Sequence, residues 1–473
     1  MKQKIQQIVF RLGIPGWLAI AVTILGLALR IEHAHTFDGP GRGSDYAAHV
    51  AGVRWMGEHM APFDFTKQVP WSIGYQPPLW YMVGSLILDW TNNERAIAYL
   101  AVVGWVVRQI VLARVLAEAV PGRRWSALAA LAINAVLPLA VLTDGKVNPE
   151  GMHTTLFMIA VYFLWRMERQ DLRPEGISLV TATLLGVFSG LAVLTKGTAG
   201  VLPLATAILL CWQSIRSWKI GRWTTIWLRQ LRPAIVAGIS WCVIAGWWCG
   251  PNLVKYHHPF PHVWDLEGPE IHPELAAPVF YRRPLGWALP FEWKEYLALP
   301  IIQSATKPRP NLWAVLVSGT WSDFYDRGFC RLTGGGTVSG TWSGYPVSRR
   351  CVDLFTHLVE VGLILTAGSL AALWLVIRLH LREDGRRGSL AIPLVIVLGV
   401  AFSSLFALVY PYDYYAVLNP RYLLPESGWI AACLGIALGQ FESQRWKRCA
   451  AHGLMLLGIG IVAILVTIER FGK

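Results

Sequence analysis

Ile177-Ser-Leu-Val-Thr-Ala-Thr-Leu-Leu-Gly-Val-Phe-Ser-Gly-Leu-Ala-Val-Leu-Thr-Lys196-Gly-Thr-Ala-Gly-Val-Leu-Pro-Leu-Ala-Thr-Ala-Ile-Leu-Leu-Cys211 carries a single charge, Lys196. Two apolar runs flank that lysine, each of the length and composition of a membrane-crossing helix. A cation between them is costly unless it snorkels to the interface or finds a partner. Composition extends the reading to the whole chain. Of its 473 residues 54% are hydrophobic and 15% charged, against roughly 25% charged in soluble domains. No water-facing globule hides so much apolar surface.

Working outward from 177–195 and 199–214, further spans fall near 14–31, 96–117, 126–142, 151–167, 233–250, 355–378, 390–410, 424–440 and 450–468. The first has no small-residue cleavage site behind it and reads as a retained anchor. Pro78 to Trp90 is also apolar, but its roughly 13 residues reach only about 20 Å as a helix, short of a core of about 30 Å. It predicts an interfacial or re-entrant helix, opened by Pro77-Pro78. The net charge of +13 could suggest nucleic acid, but the cations cluster between apolar runs as in cytoplasmic loops. Arg123–Arg124, Arg166–Arg173, Arg216–Arg232, Arg378–Arg387 and Arg445–Arg448 all fall on one side if 78–90 does not span. The expected fold is an all-α polytopic bundle of about eleven transmembrane helices, N-terminus cytoplasmic, with a large outer loop. Its expected organisation is an N-terminal module 1–250 with a first outer loop 32–95, an extracytoplasmic segment 251–354 and a C-terminal module 355–473.

The outer segments hold the polar chemistry. In Gly39-Pro-Gly-Arg-Gly-Ser-Asp-Tyr-Ala-Ala-His49, Asp45 stands at the start of a helix. It either caps that helix or, with His49 one turn on, serves as a general base. Tyr75-Gln-Pro-Pro-Leu-Trp-Tyr81 reads as an aromatic interface anchor. Thr143-Asp-Gly-Lys-Val-Asn-Pro-Glu-Gly151 packs Asp144, Lys146, Asn148 and Glu150 into one hairpin. It is either an ordinary helix start or a second carboxylate approaching Asp45. Lys196 could snorkel or hold a lipid phosphate. Arg421, among aromatics just before a span, is either an interface anchor or a bidentate phosphate ligand. His257, His258, His262 and His272, with Glu267 and Glu270, fit no tight metal motif, and Pro interrupts them. Trp321-Ser-Asp-Phe-Tyr-Asp326 reads as an aromatic belt or a sugar platform.

Five of these stretches resemble, in order, the polyprenyl-phosphate-sugar glycosyltransferases of the GT-C fold, which include protein O-mannosyltransferases and lipid A aminoarabinose transferases. They are Ser44-Asp45-Tyr46-x-x-His49, Gln76-Pro-Pro-Leu-Trp-Tyr81, Val147-Asn148-Pro149-Glu150, Leu191-Ala-Val-Leu-Thr-Lys196-Gly197 and Arg421-Tyr422-Leu-Leu-Pro425. The sequence departs from the family at Tyr46, where an acid often stands, and at Gln76, where some members have a base. The resemblance implies a membrane enzyme of the bacterial inner membrane that transfers a sugar, with inversion, from a polyprenyl-phosphate donor to an extracytoplasmic hydroxyl of a glycan, lipid or protein. Asp45, His49 and Glu150 would be catalytic. Lys196, Arg421, Tyr422 and Lys146, with Lys67 in reserve, would hold the donor phosphate, and Tyr46, Gln76 and Asn148 would touch substrate. No cofactor is required, though Asp45 and Glu150 could share a divalent cation.

Of seven cysteines, Cys211, Cys242, Cys249, Cys433 and Cys449 lie in or beside spans and read as packed thiols. Cys330 and Cys351 bracket a Gly-rich outer stretch and are expected to pair, a cross-link worth about 3 kcal/mol. The rival functions are a transporter or flippase of lipid-linked sugars, which would show internal repeats that are not seen, and a polysaccharide polymerase or ligase.

Overall fold

The computed structural model describes residues 2–36, 46–59, 76–171, 176–219, 227–260, 320, 349–382, 389–409, 424–442, 453 and 460. In chain order these form α1 Lys2–Thr36, α2 Tyr46–His59, α3 Leu79–Thr91, α4 Arg95–Ala119, α5 Arg124–Val136, α6 Pro138–Asp144, α7 Glu150–Asp171 and α8 Leu179–Thr195. A 3₁₀ turn Gly197–Gly200 leads to α9 Val201–Lys219. A π turn Trp227–Leu231 opens α10 Arg232–Tyr256, followed by α11 Arg349–Arg382, α12 Ala391–Val409 and α13 Leu424–Phe441.

The chain is a multi-pass membrane protein. Five of these helices are long and apolar enough to cross a bilayer, and α5 with α6, bent by 53°, makes a sixth. The bend follows from Pro138 at the first position of α6, which cannot continue the hydrogen-bond ladder of α5. Helices occupy ten of the eleven expected spans, while 450–468 lies almost wholly outside the described residues. Large apolar side chains point outward along the long helices, among them Ile24, Val103, Ile110, Val243 and Leu370, as lipid-facing surfaces require. The expected short helix is α3, 13 residues with Pro78 as its N-cap.

Two boundaries differ from expectation. Helix α10 runs six residues past 250, through Pro251, and stops at His257 in the left-handed region at φ 61°. A proline within a membrane helix removes one ladder bond without ending it. At the other end, α11 begins at Arg349, ahead of 355. In α1, Gly13 adopts φ 60°, a conformation that glycine reaches without steric cost.

Helix α7 is the hub, packed on α4, α8 and α13. Trp105, Trp165 and Trp429 are fully buried around it. Helix α8 lies directly on α10: a Cβ at Gly186 would stand 2.2 Å from the Ala237 carbonyl, and one at Gly190 2.8 Å from Ile244. Two glycines four apart thus let these backbones touch, the usual device for tight membrane-helix pairs.

The two ends of the bundle differ. At one, Glu168 of α7 accepts hydrogen bonds from Ser389 Oγ at 2.6 Å and from the Leu390 N–H at 2.6 Å, and His380 Nδ1 lies 3.5 Å away. Glu442, just past α13, accepts from Ser126 Oγ at 2.6 Å and from the Trp125 and Ser126 amides. Both carboxylates cap the start of a helix they do not belong to, which suits its positive dipole end. The other end carries the turns at 145–149 and 196–200 and the candidate site.

Candidate functional site

The site forms where α8 stops. Lys196 adopts an extended backbone, φ −159° and ψ 131°, and separates α8 from the 3₁₀ turn. Gly197 and Gly200 in that turn pack against the ring of Phe260. The Lys196 Nζ sits 2.9 Å from Glu150 Oε1, with the two side chains 12% and 4% exposed. Glu150 is there because it is the first residue of α7, where a carboxylate meets the helix dipole favourably. The cation in turn lies at the negative end of α8. A lysine that read as a lone charge in an apolar stretch therefore reaches a buried partner from another helix.

One turn along α7, His153 occupies the same face. Its Nδ1 faces the Ala192 carbonyl at 3.3 Å and therefore donates, leaving Nε2 to accept from the Thr198 hydroxyl at 3.1 Å. The ring is 1% exposed. His153 and Thr198 did not stand among the candidates read from the sequence. The signal was the spacing Glu150-x-x-His153, which puts both on one helical face.

Beside this pair stands a second ionic cluster. Asp144, fully buried, accepts from Arg30 Nε at 2.9 Å and from Arg108 Nη2. Arg30 also donates to the carbonyls of Gly26 at 3.0 Å and Ala135 at 2.8 Å, and its guanidinium stacks 4.2 Å over the Trp105 ring. Asp144 Oδ1 is 3.4 Å from where a Cβ at Gly151 would be, so the two clusters adjoin. Both oxygens of this carboxylate are thus engaged by guanidiniums.

The remaining candidates are placed as follows. Asn148 accepts the Glu150 N–H on Oδ1 at 3.1 Å and reaches the Thr143 carbonyl with Nδ2 at 3.4 Å, so its side chain caps α7. Lys146 is half-buried in the same turn, and its charge reaches His33. His49 is buried between α2 and α3, with Nδ1 2.9 Å from the Tyr81 hydroxyl and its ring edge-on to Trp80 at 5.5 Å. Tyr46 donates its hydroxyl to Glu94 Oε2 at 2.9 Å, and Arg54 pairs with the same carboxylate. Partial burial and then that hydrogen bond push the Tyr46 phenol up to about 12. Gln76 is half-buried just before α3. Asp45, Lys67, Arg421, Tyr422, Cys330, His262, His272 and the Trp321–Asp326 stretch lie outside the described residues, as does the side chain of Cys351. Cys249 and Cys433 are buried thiols, whereas Cys211 and Cys242 are exposed on the bundle surface. Among the described residues no three of His, Cys, Asp and Glu converge as metal ligands.

The architecture that results is a helical membrane bundle with polar residues gathered at helix breaks near one end. The oligosaccharyltransferase of Archaeoglobus fulgidus in its apo form superposes with a TM-score of 0.50 and 11% sequence identity, over 98% of this chain and 56% of that one. ArnT from Cupriavidus metallidurans in its apo state matches with a TM-score of 0.37 and 15% identity, over 90% of this chain and 78% of that one. Arabinosyltransferase EmbB from Mycobacterium smegmatis matches at 0.32 and 12%, over 93% and 41%. The chain thus spans little more than half the length of the archaeal enzyme. In sequence, the profile of the dolichyl-phosphate-mannose-protein mannosyltransferases matches residues 76–241. That interval takes in Gln76, Lys146, Asn148, Glu150 and Lys196. No curated relative matches the chain in sequence.

Proposed function

We propose that the chain is an integral membrane glycosyltransferase that moves a sugar from a polyprenyl-phosphate donor to an acceptor hydroxyl, with inversion, on the extracytoplasmic side of a bacterial inner membrane. The observation that carries this reading is the buried Lys196–Glu150 pair at the break between α8 and α9. A buried ion pair at a helix break is an expensive feature for a structural bundle to keep, and it lies within the stretch that matches the mannosyltransferase profile. It gives the enzyme a cation that is held in place before substrate arrives.

In this reaction the acceptor oxygen bonds to the anomeric carbon while the carbon–oxygen bond to the phosphate breaks. The electron pair stays on the phosphate oxygen, and the acceptor proton passes to Asp45. Lys196, with Arg421, Tyr422 and Lys146, stabilises the charge that grows on the leaving phosphate. Glu150 orients Lys196 and gives way to the phosphate. His49, locked to Tyr81, and Tyr46, locked to Glu94, fix the helix that begins one residue after Asp45. Glu150 is engaged by Lys196 and Asp144 by two arginines, so a divalent cation would have to be held mainly by Asp45 and substrate. The segment 251–354, stapled by Cys330 and Cys351, reads the acceptor, and the N-terminus is cytoplasmic.

The test is transfer of labelled sugar from purified undecaprenyl-phosphate donors by the full chain in liposomes. Asp45→Asn should abolish transfer and leave expression intact. Wild-type turnover by that variant removes Asp45 from the mechanism. Movement of the intact lipid-linked sugar across the bilayer without any transfer would replace the enzyme with a flippase.

A further inference from the structure

One side chain grips the chain on both sides of Lys196. Helix α8 ends with the Lys196 N–H on the Ala192 carbonyl at 2.9 Å, and the next turn opens with the Ala199 N–H on the Lys196 carbonyl at 3.1 Å. Between those two bonds the Lys196 backbone is extended, so the α-helical ladder stops there. His153 of α7 crosses the gap. Its Nδ1 donates to the Ala192 carbonyl before Lys196 at 3.3 Å, and its Nε2 accepts from the Thr198 hydroxyl after it at 3.1 Å. The ring also lies against Phe157 one turn on, with centroids 5.9 Å apart.

Packing alone would be met by an apolar side chain of similar size. A buried imidazole is costly unless its ring nitrogens find partners, and here those partners belong to two segments with a helix break between them. Glu150, one turn earlier on the same face of α7, takes the Lys196 ammonium at 2.9 Å. Helix α7 therefore holds the lysine twice: Glu150 at the charged head, His153 at the backbone from which the side chain springs. When the head leaves Glu150 for a donor phosphate, the backbone anchor stays.

We propose that His153 is a positioning residue for donor binding and transfer: by joining Ala192 to Thr198 it fixes the break at Lys196 and so sets where the ammonium meets the phosphate. It acts through Lys196 and needs no contact with substrate. Without it the break must be ordered as the donor binds, and that ordering is drawn from the affinity. The inference rests on the reading of Lys196 as a phosphate ligand.

The probe is undecaprenyl phosphate, bound at one pH by the full chain in nanodiscs and titrated by native mass spectrometry. Lys196→Gln should weaken binding about tenfold or more, as loss of a charge-assisted contact does. His153→Ala should weaken it about three- to tenfold, the cost of ordering one long side chain on binding. In the Lys196→Gln background the same change should have no further effect, because nothing is left to position. Thr198→Val removes one of the two bonds while keeping the shape. It should show the same pattern with a loss of about threefold, and it decides the matter if His153→Ala does not fold. A merely structural histidine would cost the same factor in both backgrounds or nothing in either. Either result overturns the positioning role and leaves Lys196 in place. Wild-type affinity in Lys196→Gln, or no binding by the wild-type protein, overturns the phosphate reading and the positioning role with it.

Discussion

Two buried ionic clusters lie side by side at one end of the bundle, and they differ in where in the helices their charges stand. In the Arg30–Asp144–Arg108 cluster a single carboxylate serves two guanidiniums, and backbone carbonyls and an indole face take up more of Arg30. It ties α1, α4 and α6 together. In the Lys196–Glu150 cluster an ammonium meets a carboxylate where the chain breaks between α8 and the 3₁₀ turn. The first cluster joins helix interiors that are far apart in the chain, whereas the second sits at a turn between helices, where the proposed function places the donor phosphate. The difference teaches that burial of an ionisable residue in a membrane bundle does not by itself mark function; its place within the helices or at a helix break is what separates the two.

The sharpest way to break the comparison is Asp144→Asn. It leaves two buried guanidiniums without a counter-charge and should cost about 3–5 kcal/mol, read as a fall in folded yield and in the midpoint of thermal unfolding in detergent. Unchanged stability would mean that the first cluster is not structural. Lys196→Gln should do the reverse. It should lower kcat/KM about 10²–10³-fold, or roughly 2.7–4 kcal/mol of transition-state stabilisation, with the unfolding midpoint shifted far less than in Asp144→Asn. Equal damage to stability in both variants would erase the distinction. Gly399→Ala drives a Cβ into the Glu426 carboxyl and should destabilise by about 1–3 kcal/mol; chemical unfolding measures it, and a neutral result would mean that Glu426 is free to swing away. Ser126→Ala removes the hydroxyl that Glu442 accepts at the far end. It should cost about 1 kcal/mol and leave transfer activity at the wild-type level, since that end carries no proposed chemistry.

Much of the frame was legible in the sequence because bilayer thickness is a hard ruler. Apolar runs of crossing length became helices, and the short run after Pro78 became the 13-residue α3. Lys196 stood out as a charge with no local excuse. Glu150 was named as a candidate, but its pairing with Lys196 was not legible, because the contact spans 46 positions and depends on how α7 and α8 pack. Arg30 and Arg108 were absorbed into apolar spans, Arg30 at the end of its own and Arg108 in the middle of its own, and their shared carboxylate is 114 and 36 positions away. Glu426 was not singled out in the sequence; the approach of α12 at Gly399 shows its carboxyl turned inward. Helix ends were the least legible, as α10 shows by continuing through Pro251, because a proline that would stop a helix in water is tolerated where lipid excludes competing hydrogen bonds.

Glu168 has a consequence for how the polypeptide could be divided. Its carboxylate joins α7 to Ser389 and Leu390 at the start of α12 and lies beside His380 near the end of α11. A gene split between codons 383 and 388 would therefore produce two fragments with a ready-made polar latch at the cut. Co-expressed, they should find each other in the membrane and copurify, and Glu168→Ala should lower the yield of the pair.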